Sequence, residues 1–344
     1  MSQTSVKLDP REEHYFISSP HPGLRLFVRH LPVEVWHDRF VPPVLYVHGA
    51  TFPSALSMAH RFEGYSWRDA LHDAGFDVWS FDFHGFGYSD RYPEMDAPPQ
   101  VNPPLCRAAD ASGQLEAVVR FILDRQGVPK LSIISHSWGS MPACRFASQH
   151  PALVDRLVLF GPIARRPPRR YETAPGAPAW RIVTVEDQWK RFIEDLPPNE
   201  NPVLSRAHFV EWGERYLDSD PDSRRREPAG IKIPTGPFAD ILRAWHGDLA
   251  YDPAQVQAPV AIIRGAWDGL IPDEDAHWLF DAFTASPVKR DIKISRGTHL
   301  MHLEAMRYAL YRESIAFLSA GDEAPEPQLD AKRYHSAQKP KGAL

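Results

Sequence analysis

The sequence predicts an α/β protein with a mostly parallel central sheet, helices on both faces, and a helical segment inserted before the last strands. Three observations lead there. Short apolar runs alternate with helical patterns along most of the 344 residues. Most of these runs are apolar at every position, as strands buried on both faces must be. The alternation then stops over residues 164–258 and resumes afterwards.

In chain order, residues 14–18 and 24–30 read as two strands joined by Pro20-His21-Pro22-Gly23, an antiparallel edge hairpin. Residues 43–47 form a short buried strand ending in His48-Gly49, and 66–73 a helix. Residues 76–81 are the next strand, closed by the turn Asp82-Phe83-His84-Gly85-Phe86-Gly87. Residues 107–123 form an amphipathic helix with Leu115, Val118, Val119 and Ile122 on one stripe. Strand 130–135, helix 141–149 and strand 156–160 follow. After the insertion come strand 259–264, helix 273–283, strand 291–294 and a last helix over 300–318.

The interrupted region is rich in proline, arginine and tryptophan. Helical patterns are visible at 185–194, 202–216 and 237–245, and strand signals are weak. A structureless connection of this length does not fit a compact protein, so a mainly helical subdomain is expected. Its Trp189, Trp212 and Trp245 either pack that unit onto the main one or line a pocket between them. The expected organisation is a core over 1–162 and 259–320, a helical cap over 163–258, and a flexible polar tail over 321–344.

Composition excludes several classes. The net charge of −5 is modest and the apolar fraction of 43% is ordinary. The basic runs at 165–170 and 224–226 lie among acidic stretches and read as solvated faces, so no nucleic-acid partner is expected. Cys106 and Cys144 form neither a disulfide framework nor a metal-ligand spacing and read as buried free thiols. No metal is expected. The N-terminal residues lack the apolar core of a secretory signal, and no stretch approaches the ~18 apolar residues of a membrane span. A cytoplasmic protein without a membrane partner is expected.

The chemistry is read from Ile133-Ile134-Ser135-His136-Ser137-Trp138-Gly139-Ser140. A β-branched run ends in a serine among turn-tolerant residues, and a helical pattern starts at once. A tight strand-to-helix turn exposes the Ser137 hydroxyl where helix N–H groups point. A serine hydroxyl is a weak nucleophile alone. It needs a base within hydrogen-bond reach and a third group that holds the base's tautomer. Asp268 follows the strand ending Ile262-Ile263-Arg264-Gly265, and His299 follows Ile292-Lys293-Ile294. His302, one helical turn on, is the rival base. Asp273, after Pro272, reads as a helix cap. Asp82, Asp110 and Glu304 read as loop-bonding or helix-end groups.

Ser135-His136-Ser137-Trp138-Gly139 with Asp268 and His299, in that chain order, resembles the α/β-hydrolase fold family. Ser135 stands where the family's elbow more often has glycine. His48-Gly49-Ala50 is similar to its oxyanion loop, and residues 82–89 to its Asp-x-x-Gly-x-Gly-x-Ser turn. The insertion lies where the family's caps lie. The resemblance implies a Ser137, Asp268, His299 triad with no cofactor, and an oxyanion hole from the N–H groups of Ala50 and Trp138, Thr51 being the alternative to Ala50. It gives His48 a structural bond and turns His136 away from substrate. Thr51, Phe52, Met141, Trp189 and Trp212 are the candidate pocket residues, with Trp138 narrowing the acyl side.

The expected activity is hydrolysis of an ester or lactone of moderate size and apolar character through an acyl-enzyme. Three other readings stay open. One is an aminopeptidase or amidase of the proline iminopeptidase type, with Glu186, Glu194, Glu211 or Glu214 receiving a substrate ammonium, although the Gly-Pro-Gly of that branch is missing after His48-Gly49. Another is a carbon–carbon bond hydrolase or acyltransferase, and the last a non-catalytic ligand-binding member of the fold. The serine argues against the epoxide-hydrolase and dehalogenase branches, which place aspartate there. The expected partner is a small-molecule substrate, with a homodimer left open.

Overall fold

The computed structural model describes residues 5–33, 41–167 and 177–320. The tail over 321–344 and part of the basic run at 165–170 lie outside them. The core begins with β1 (Glu13–Ser18), β2 (Arg25–Leu31), β3 (Val44–Val47), α1 (Trp67–Asp73) and β4 (Val78–Asp82). It continues with α2 (Ala108–Gln126), β5 (Leu131–His136), α3 (Ser140–Gln149) and β6 (Val154–Phe160). Next come β7 (Trp180–Thr184), α4 (Val185–Ile193), α5 (Arg206–Asp218), β8 (Gly230–Pro234) and α6 (Gly236–Ala244). The chain closes with β9 (Val260–Gly265), α7 (Asp273–Ala282), β10 (Lys289–Ile294) and α8 (Arg307–Leu318).

Eight strands form one sheet in the order β1-β2-β4-β3-β5-β6-β9-β10. The β1–β2 and β2–β4 pairs are antiparallel and the rest parallel. Successive residues of the central strands point to opposite faces, and both faces are covered. Leu45, Ile133, Leu157, Leu159 and Ile262 pack on the side of α2, α3 and α7. Tyr46, Ile134, Val158, Phe160 and Ile263 pack with Trp67 of α1 and Leu310 of α8 on the other. This explains why the runs read as continuously apolar. The chain runs from β3 through α1 to β4 on one side, and from β4 through α2 crosses to β5 on the other side of β3. The carboxyl ends of β3 and β5 therefore flank a topological switch point, where such sheets place their sites.

Helix starts follow local chemistry. Ser66 caps α1 and receives the Asp69 N–H while the Asp69 carboxylate accepts the Ser66 N–H, a closed capping box. Gly127 ends α2 in the left-handed conformation.

Two expectations are corrected. The insertion is not only helical: β7 and β8 pair antiparallel from Trp180↔Pro234 to Thr184↔Gly230. Their β-branched residues, Ile182, Val183, Thr184, Ile231 and Ile233, are few because each strand has only five positions. The last helix starts at Arg307 rather than 300. A single 3-10 turn, Met301–Leu303, ends at Glu304 in extended conformation, with the Glu304 carboxylate turned back to bond Thr298.

Contacts from 163–258 fall on loops at the carboxyl ends of the parallel strands. Trp212 Nε1 donates to the Leu56 carbonyl at 2.9 Å, Lys232 Nζ to the Met95 carbonyl at 2.7 Å, and Gly236 N to the Leu105 carbonyl at 2.8 Å. Among the described residues, no helix is long and apolar enough to cross a membrane.

Candidate active site

Ser137 follows β5 directly and has φ +55°, in the left-handed region. A side chain held there is strained and persists only where the surroundings over-determine it. The surroundings do so by close packing. A Cβ on Gly139 would lie 2.4 Å from the His48 carbonyl oxygen, so only glycine lets this turn meet the end of β3.

The structure brings the three predicted residues together from the ends of β5, β9 and β10. His299 Nδ1 lies 2.9 and 3.1 Å from the two Asp268 oxygens, and His299 Nε2 lies 2.8 Å from Ser137 Oγ. A carboxylate only accepts, so Nδ1 carries the proton and Nε2 is free to accept from the serine hydroxyl. All three side chains are buried. Leu270 N–H donates to Asp268 Oδ1 and fixes the carboxylate. Gly161 closes β6 beside the pair, and a Cβ there would sit 3.0 Å from both Asp268 Oδ2 and His299 Nδ1.

His302 is not the partner of Ser137. It is fully buried against His136, Phe160 and Phe52, and both its ring nitrogens lack a partner among the described residues. Burial, reinforced by His299 and His60, holds its pKa well below the usual value. Asp273 is not the cap of α7 either: that position is Pro272, and Asp273 pairs with Arg264 and Lys293. Asp82 accepts from Ser54 N and Oγ and from Tyr88 N, pinning the loop after β3 to the turn after β4. Asp110 accepts from Gln114 and Tyr92, a helix-end role as expected.

His48 has the structural role expected of it. Its Nδ1–H donates to the Gly49 carbonyl at 2.8 Å and its Nε2 accepts the Phe83 N–H at 3.0 Å, which fixes a neutral ring under the loop. The Ala50 N–H at that loop has no acceptor among the described residues. His136 turns away from Ser137, stacks on Phe160, and donates from Nε2 to the His299 carbonyl at 3.0 Å.

Of the candidate pocket residues, Thr51 and Phe52 lie at the loop beside the triad. Phe52 faces Trp212 and His302, and Thr51 Oγ1 accepts from Arg191 at 2.6 Å. Met141 and Trp212 have no accessible surface and are packing residues. Trp189 is half-buried, against Phe209 and under the Arg206 guanidinium. The Trp138 indole is also inaccessible. It donates from Nε1 to Asp240 of α6 at 3.1 Å and packs on Phe83, so it does not narrow the acyl side. The acids proposed to receive an ammonium, Glu186, Glu194, Glu211 and Glu214, are exposed, and Glu211 and Glu214 pair with Arg215 and Arg224. Cys106 and Cys144 are buried free thiols. Among the described residues no cluster of His, Cys, Asp or Glu could hold a metal.

Sequence reasoning missed three charged residues. Asp240 accepts from Arg107 Nε, Ala108 N at 2.6 Å and Trp138 Nε1, and so joins α6, the start of α2 and the Ser137 turn. Arg191, in the last turn of α4, and Asp195 just beyond it reach the triad loops. Asp195 lies against Gly269, where a Cβ would meet its Oδ1 at 2.6 Å. Burial, then the Asp268 charge, raise its pKa. The available signal was spacing: Gln188, Arg191, Phe192 and Asp195 recur at helical intervals, which places polar side chains on the buried stripe of α4.

Residues 42–305 match the family model described as alpha/beta hydrolase fold. The chain is 25% identical over 260 residues to epoxide hydrolase 1 of Caenorhabditis elegans, covering 68% of this chain and 55% of that protein. It thus spans about half the length of that relative. It is 22% identical over 303 residues to proline iminopeptidase of Neisseria gonorrhoeae, covering 80% of this chain and 90% of that one. A solved 2-hydroxy-6-oxo-6-phenylhexa-2,4-dienoate hydrolase from a Rhodococcus species superposes with a TM-score of 0.59 at 17% identity, over 90% of this chain and 100% of that chain. With its strand order, its strained serine turn and a family match over most of its length, the chain belongs to the α/β-hydrolase fold family.

Proposed function

We propose that the protein is a serine hydrolase that cleaves a carboxylic ester or lactone of moderate size through an acyl-enzyme, with residues 163–258 as the cap over the site. The observation that carries this reading is the hydrogen-bond chain Asp268–His299–Ser137, with both links at about 3 Å or less. Ser137 Oγ attacks the substrate carbonyl carbon while its proton passes to His299 Nε2. Asp268 stabilises the imidazolium. The tetrahedral oxyanion is held by the N–H groups of Ala50 and Trp138, each worth roughly 3 kcal/mol in the transition state. Collapse breaks the bond to the alcohol oxygen, which takes the proton from His299. Water then gives a proton to His299 and its oxygen to the acyl carbon, releasing the acid and restoring Ser137.

The carboxylate nucleophile of an epoxide-opening enzyme has no counterpart at position 137. For the aminopeptidase reading, the four cap glutamates considered as an ammonium site are exposed, which favours the ester reading over it.

A fluorophosphonate probe tests the proposal. Stoichiometric labelling is expected for the native protein, absent in Ser137→Ala and nearly lost in His299→Ala, while His302→Ala retains it. Well-folded native protein that takes no label, or hydrolyses arylamides far faster than every p-nitrophenyl ester, would overturn it.

A further inference from the structure

Arg191 is half-buried at the end of α4, between the loop after β3 and the loop after β9. One guanidinium N–H donates to Thr51 Oγ1, the residue after Ala50. Asp195, four residues on, sits against Gly269, the residue after Asp268. The end of α4 thus spans the two sides of the triad.

Several other arginines near the core have a carboxylate to answer them. Arg107 has Asp240, Arg166 has Asp275 and Arg264 has Asp291. Arg191 has no carboxylate within 4.0 Å among the described residues. The charges of Glu194, Asp195 and Asp268 act on it from a distance, but Glu194 is exposed, Asp268 is bonded to His299 and Leu270, and burial disfavours the charged form of Asp195. Desolvation also disfavours the charge on Arg191 itself. A partly desolvated cation without a bonded carboxylate gains from a counter-charge brought to it, and its remaining donors are not enclosed by protein. A guanidinium presents a planar fork of donors suited to a carboxylate, and one hydroxyl occupies little of it.

We propose that Arg191 binds a substrate carboxylate, so that the preferred esters of this enzyme are half-esters or carboxylated esters, anionic at one end and apolar between. The proposal rests on the serine-hydrolase reading and names its substrate class. It also opposes an ammonium-bearing substrate, which the same cation would repel.

Three esters test it: p-nitrophenyl butyrate as the neutral reference, mono-p-nitrophenyl glutarate with the carboxylate on the acyl side, and 4-butyryloxybenzoate with it on the alcohol side. The readout is the ratio of kcat/KM for each anionic ester to that for the neutral one. This ratio does not depend on the fraction of protein that is folded. At least one ratio should exceed about 10 in the native protein. It should fall by about 10- to 100-fold in Arg191→Gln, the range of a lost charged hydrogen bond, and be partly kept in Arg191→Lys. Native ratios near or below one in both arms, or a ratio unchanged in Arg191→Gln, would overturn it. Fluorophosphonate labelling of the same samples separates the two readings. Labelled protein without charge preference overturns only this one, and protein that neither labels nor hydrolyses any ester overturns both.

Discussion

The His136 imidazole donates from Nε2 to the backbone carbonyl of His299 at 3.0 Å, so the residue before the serine holds the histidine that faces it. The bond crosses from the end of β5 to the loop after β10 and couples two sides of the triad. Burial, with His302 and His299 close by, keeps the His136 ring neutral, its pKa well below the ordinary value.

His136 is therefore a positioning residue. His136→Phe keeps a ring to stack on Phe160 but cannot donate. The expected result is a fall in kcat of about tenfold, equivalent to about 1.4 kcal/mol, with KM little changed because the ring does not face substrate. Steady-state kinetics with a p-nitrophenyl ester checks this. A rise in KM with kcat intact would count against the assignment.

Glu304 predicts a pH dependence of stability. Burial raises its carboxyl to about 8, against the bonds from Thr298 that lower it. Below its ordinary value near 4.5 the group is protonated in both the folded and the unfolded chain. Between there and about 8 only the unfolded chain releases the proton, so Glu304 favours unfolding more with each rise in pH, by about 1.4 kcal/mol per unit at most. Glu304→Gln keeps an acceptor for Thr298 and does not titrate. Denaturant titrations at pH 5, 6.5 and 8 should show the native protein losing stability relative to this variant, on the order of a few kcal/mol across the series. A constant difference across that range would show that Glu304 is ionised when folded.

Asp240 is the carboxylate that answers three donors at once. Asp240→Ala leaves Arg107, the Ala108 N–H and the Trp138 indole without it. A loss of about 3 kcal/mol is expected from the shift of the urea midpoint, with Asp240→Asn milder because its amide oxygen still accepts. Equal stability of Asp240→Ala and the native protein would mean that water replaces the carboxylate.

The opening strands, the serine turn and the acid and histidine after the late strands were legible in the sequence. Each is written locally: the apolar runs of β3, β5, β6 and β9 mark strands buried on both faces, and Ser137 follows one of them with turn residues around it. The sequence pointed to His299 with His302 as the rival, because both follow the same strand and differ by less than one helical turn. The 3-10 turn ending at Glu304 decides it, directing His299 to Ser137 and His302 into the core.

Sequence alone thus determined the fold class and the strand-to-helix turn that carries Ser137, because hydrophobic period and turn chemistry act over a few residues. Only the tertiary structure decided where the remaining charges go. The Trp138 indole reaches Asp240 across 102 positions, Arg191 reaches Thr51 across 140, and His136 reaches the His299 carbonyl across 163. Such partners are set by how the layers pack, and a polar side chain on a helix carries no local mark of the group it will meet.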